Sequence, residues 1–112
     1  MATKPVQWVG PALDDLRVLP QEARRELGFD LRRVQEGLRP RDGKAMPSIG
    51  TGVVEIRVRI GGAFRMIYVA KFAEGVYVLH VFQKKTQKTS QLDITVARSR
   101  LAVVQRTRKE GR

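Results

Sequence analysis

The sequence predicts an α+β fold: one compact domain over residues 1–112, with helices packed on an antiparallel sheet. Two observations carry this prediction. Val53 to Gln83 holds three consecutive β-rich runs, broken at Gly61-Gly62 and Glu74-Gly75, where hairpins require such residues. Two stretches before this meander and one after it space their apolar residues as amphipathic helices do. At 42% hydrophobic and 29% charged over 112 residues, the chain is apolar enough to fold and long enough for its own core.

The first element expected is a short strand within Lys4–Val9, where Val6 and Trp8 share parity and join the sheet. Gly10-Pro11 breaks it, and proline suits the first turn of a helix. Leu13, Leu16 and Leu19 then repeat at helical spacing, with Asp14 and Asp15 near the positive end of the helix dipole. Pro20 stops this helix and opens the next. Its stripe is Ala23, Leu27, Leu31, Val34 and Leu38, opposite a solvated face of Arg24, Arg25, Arg32 and Arg33 mixed with Glu22, Glu26 and Glu36.

Residues 39–52 hold two prolines and three glycines, so no element is expected there. Met46 and Ile49 are its expected anchors under the sheet. Arg41 and Lys44 are placed to line an approach to it.

The first strand of the meander, Val53–Ile60, alternates Val54, Ile56, Val58 and Ile60 with Glu55, Arg57 and Arg59. The second, Ala63–Phe72, adds Arg65 and Lys71. The third, Val76–Gln83, runs into Lys84-Lys85. One apolar face takes the helices, and the other shows a row of cations suited to a polyanion. Arg65 follows the hairpin, so it is expected on that open face, exposed and close to Arg59. Ser90 followed by Asp93 starts a last helix with the stripe Ile94, Ala97, Leu101 and Val104. Fraying is expected beyond Gln105, with 106–112 as a tail.

The formal net charge is +11. Residues 1–50 carry nine Lys/Arg against seven Asp/Glu, and residues 51–112 carry thirteen against four. The sheet and the last helix therefore make most of the field, which draws nucleic acid. There is no cysteine and one histidine, His80, so disulfides, cysteine nucleophiles and the usual zinc sets are excluded. No cofactor or metal is expected. No run approaches the ~20 apolar residues of a membrane span, and no secretory pattern opens the chain; a cytoplasmic protein with no membrane partner is expected. The chemistry left is a cluster of cations able to stabilise charge as a ribose 2′-hydroxyl attacks its own phosphodiester.

The segments MPSIGTGVVEIRV, FRMIYVAKF and VYVLHVFQKKTQKT, in this order and spacing, resemble the RelE/HigB superfamily of toxins from toxin–antitoxin pairs, and more narrowly its phage-derived, HigB-like branch. The likeness extends over nearly the whole chain, including WVG and the DDL and EARRELG helices. It implies a RelE-like fold and a ribosome-dependent mRNA endoribonuclease. The implied partners are the ribosome, mRNA and a cognate antitoxin with a helix-turn-helix, HigA-like. It places Arg57, Arg59, Arg65, Lys84 and Lys85 in the catalytic set. Lys71, Lys88, Arg41 and Lys44 are candidate RNA contacts. Members that use a C-terminal tyrosine or paired histidines as base differ from this chain, in which no tyrosine follows Tyr77; His80, Glu55 or activation supplied in part by the ribosome are the candidates left. Two other readings fit the same basic sequence: a non-catalytic RNA- or ribosome-binding protein, and an inactive toxin relic that keeps antitoxin binding.

Overall fold

The computed structural model describes residues 3–85 and 88–111. Thr86 and Gln87, inside the expected Lys-Lys-Thr motif, and Arg112 of the expected tail lie outside the described residues. In chain order the elements are β1 (Val6–Trp8), α1 (Ala12–Arg17), α2 (Gln21–Gln35), β2 (Gly43–Ala45), β3 (Val53–Arg59), β4 (Ala63–Val69), β5 (Val76–Lys84) and α3 (Gln91–Glu110). The α+β class and the three-stranded meander stand as expected. No helix among the described residues is long and apolar enough to cross a membrane.

The sheet has the order β1-β5-β4-β3-β2 and is mixed, not wholly antiparallel. β1 pairs with β5 in parallel, Val6 opposite Val76; Val76 N–H donates to Pro5 O and Val9 N–H to Val78 O. The chain reaches this edge through α1 and α2 and the rest of the sheet, which leaves the parallel direction open. β2 is a second correction. The Pro- and Gly-rich span still forms a three-residue edge strand, because Gly43–Ala45 contains no proline and pairs with Val54–Ile56.

Both faces of the sheet are covered, the third correction to the one-sided arrangement. α1 and α2 bury Ala12, Ala23, Leu27, Leu31 and Val34 against Ile56, Val58, Phe64, Met66 and Val78. α3 crosses the opposite face, burying Ala97, Leu101 and Val104 against Val53, Ile67, Val69 and Leu79, with Met46 and Ile49 as the expected anchors. That opposite face is the one carrying Glu55, Arg57 and Arg59, since β3 alternates between the two clusters.

Helix ends follow local chemistry. Gly37, at φ 85°, closes α2: Leu38 N–H donates to Arg33 O and Gly37 N–H to Val34 O, a Schellman end. Leu38 therefore leaves the helical stripe and is 52% exposed. Ser90 caps α3 by accepting from Asp93 N–H. α3 continues to Glu110 rather than fraying after Gln105, held by Arg108, which pairs with Glu74 and lies 3.9 Å over the Phe72 ring.

Candidate functional site

An irregularity in β5 builds the site. Ile67 faces His80 and Tyr68 faces Val78, leaving Leu79 without an opposite residue. Strict alternation from Val76 and Val78 would send His80, Phe82 and Lys84 to the α2 side. The bulge reverses their direction and puts them on the α3 side, a recurrent use of bulges beside functional sites.

The register then lays out rows across the α3 face. Arg59 is opposite Ala63, which is opposite Lys84; Arg57 is opposite Arg65, which is opposite Phe82. The third row is Lys44, Glu55, Ile67 and His80. α3 begins over this third row, where Asp93 meets His80, and runs away from the other two. Arg57, Arg59, Arg65 and Lys84 are thus gathered at the end of the sheet that α3 leaves open. Arg59 and Lys85 are exposed, and Arg57 and Lys84 half-buried.

Arg65 overturns two expectations. It is opposite Arg57, not Arg59, and it is buried, with 0% exposure. Its Nη1 donates to Phe64 O at 3.0 Å. Its Nε lies 3.6 Å from Glu55 Oε1, beyond a good hydrogen bond. Nε and Nη2 have no hydrogen-bond partner among the described residues. Burial pulls this guanidinium below its ordinary pKa; Glu55 opposes that, while Arg57 and Arg59 add to it. Such a group costs stability twice, through desolvation and through like charge directly across the ladder. Burial also lowers the Lys84 pKa, with Arg65 next and Arg57 and Arg59 adding, against Glu55.

The two candidate bases are both committed. His80 Nδ1 is 3.3 Å from Arg100 Nη1, and because arginine only donates, Nδ1 accepts. The ring proton then sits on Nε2 and is donated to Asp93 Oδ1 at 2.7 Å. Phe82 stacks on the same ring, centroids 4.7 Å apart. Glu55, 2% exposed, accepts from Thr89 Oγ1 at 2.6 Å and faces Arg65 with its other oxygen.

The remaining candidates divide. Lys44 is exposed on the row of Glu55, and Lys88 is exposed on the connection into α3. Arg41 is anchored to α2, where it binds both oxygens of buried Asp30 and also Glu26; these hydrogen bonds hold its pKa above the ordinary value. It also lines one hollow with Arg57 and Arg59. Lys71 lies past the far end of β4, in a hollow with Phe72, Gln105, Arg108 and Lys109, away from the cation rows. Thr89, Asp93 and Arg100 were not foreseen as site residues. Asp93 was visible only as a helix-start residue, and Arg100 follows His80 by 20 positions with no motif linking them.

No curated protein matches the chain. A family model, phage-derived protein Gp49-like, matches residues 14–102, a span from α1 into α3 that contains the cation rows whole. By that match the chain belongs to the Gp49-like family of phage-derived proteins, a family associated with the toxin half of toxin–antitoxin systems.

Proposed function

We propose that this protein is the toxin of a toxin–antitoxin pair and cleaves mRNA on the ribosome. The observation that carries the reading is buried Arg65, whose Nε and Nη2 have no hydrogen-bond partner among the described residues, set in the sheet rows of Arg57, Arg59 and Lys84. A fold keeps so costly a group where a polyanion offsets it. Ribosome dependence rests on the resemblance to RelE/HigB toxins, and an antitoxin partner on the family.

In this mechanism Arg57 and Arg59 hold the scissile phosphate with planar forks. The ribose O2′ attacks phosphorus, the P–O5′ bond breaks, and a 2′,3′-cyclic phosphate and a 5′-hydroxyl result. Charge accumulates on the non-bridging oxygens, and Arg65 adds a fixed positive field from below. Lys84 gives its proton to the departing O5′, while the O2′ proton leaves to water or to a ribosomal group. His80 and Glu55 act as supports in this scheme.

The test uses ribosomes programmed with a defined mRNA. Arg57→Gln and Arg59→Gln each lower cleavage by about 10²-fold with unfolding temperatures near wild type, since both side chains reach solvent. Wild-type protein that leaves mRNA intact would sink the reading. A second reading, a non-catalytic RNA- or ribosome-binding protein, draws on the commitment of both candidate bases; it calls for tight ribosome binding with no new 5′ ends.

A further inference from the structure

Glu55 stands between two donors and serves them unequally. Thr89 takes Oε2 at 2.6 Å. Oε1 stays 3.6 Å from Arg65 Nε, and Arg65 Nε and Nη2 remain without hydrogen-bond partners among the described residues. A carboxylate and a guanidinium buried side by side ordinarily close into a two-bond fork. Here the geometry shows one oxygen drawn off by a hydroxyl. Thr89 lies just before α3, whose first turn is pinned to the sheet by Ser90, Asp93 and His80. The hydroxyl is therefore anchored from outside the ion pair.

We infer that Thr89 is a positioning residue, whose hydroxyl holds Glu55 back from Arg65 and so preserves the positive field at the cation rows. With that hydroxyl removed, Glu55 closes on Arg65, hydrogen-bonds the N–H groups that have no partner among the described residues, and weakens the field. The consequence is unusual in sign: losing a hydrogen bond makes the protein more stable and less active. A hydroxyl that merely anchored the connection would do the opposite to stability. The inference rests on the ribonuclease reading for its activity arm alone.

The experiment compares Thr89→Val, which keeps shape without the hydroxyl, Thr89→Ala, and Thr89→Ser, which restores it. The Arg65 side-chain Nε–H resonance, assigned by its loss in Arg65→Lys, is followed in the protein without substrate. In Thr89→Val it moves downfield and gains protection from solvent exchange, the unfolding temperature rises, and kcat on programmed ribosomes falls by about tenfold with KM within about twofold. Thr89→Ser behaves as wild type. An unmoved resonance, or a falling unfolding temperature in both Thr89→Val and Thr89→Ala, would overturn the inference. Loss of fold in both variants would make Thr89 a plain anchor and overturn it too. If wild type does not cleave mRNA, the ribonuclease reading fails, while the resonance and the unfolding temperature still decide the role of Thr89.

Discussion

Arg65 is where residue-scale chemistry and stability meet. An exposed arginine would be replaceable without loss of fold; this one is not. Arg65→Ala removes a large buried side chain and leaves Glu55 as a buried charge without its nearest counterion, so we expect about 3–5 kcal/mol of destabilisation by urea unfolding. A change below about 1 kcal/mol would mean that the site collapses freely around the gap. Lys84 offers a second test. Its pKa is lowered by burial first and then by the surrounding arginines, and removing a positive neighbour raises it. Cleavage that needs protonated Lys84 falls as pH rises through that pKa, so Arg59→Gln moves the alkaline fall in the pH–rate profile to higher pH. A fall at the wild-type position would release Lys84 from proton transfer. The pairing Arg57 to Arg65 and the burial of Arg65 were illegible in the sequence. Alternation tells which residues share a face, but register and cover are decided by strands and helices far along the chain.

At the scale of elements, the strands of the meander and the start of α3 were legible for local reasons. Val54, Ile56 and Val58 alternate with charged residues, and Ser90 with Asp93 is a short-range cap. The bulge at Leu79 was not legible, because the run VYVLHVF is apolar on both sides of it and carries no glycine to mark it. Yet the bulge is what brings Lys84 to the face of Arg65. The C-terminal turns of α3 were misread as a tail, since the partners of Arg108 are Glu74 and Phe72, 34 and 36 residues away (108 − 74 and 108 − 72). Arg108 holds the Glu74 pKa down, from the usual 4.5 to about 2. A depressed carboxylate stabilises the fold above its unfolded pKa, and that contribution is lost as pH falls through the folded value. In an acid titration of unfolding temperature, Glu74→Gln should therefore flatten the decline between pH 4.5 and about 2. An unchanged slope would mean that the pair is not held in solution.

At the scale of the whole molecule, charge was the most legible property and its placement the least. The excess in residues 51–112 is divided between the cation rows and the far end of α3, where Lys71, Arg108 and Lys109 gather. RNA that binds through phosphates releases counterions, so log K for ribosomes or for single-stranded RNA should fall with log salt by roughly 0.7–0.9 per phosphate neutralised. Affinity indifferent to salt would exclude phosphate contacts as the main source of binding. Arg57→Gln with Arg59→Gln should reduce that slope by about one to two units, which separates the cation rows from the rest of the basic surface.

The parallel pairing of β1 with β5 sets an order of assembly. Val6 finds its partner at Val76, 70 positions later (76 − 6), and a closure of that span is slow and late. The N-terminal strand waits, unpaired, through the synthesis of everything between. The cation rows need β3, β4 and β5 side by side, with α3 arriving last to pin His80. A nascent chain thus carries the arginines of β3 and β4 without the surface they compose until β5 has been made and paired beside them.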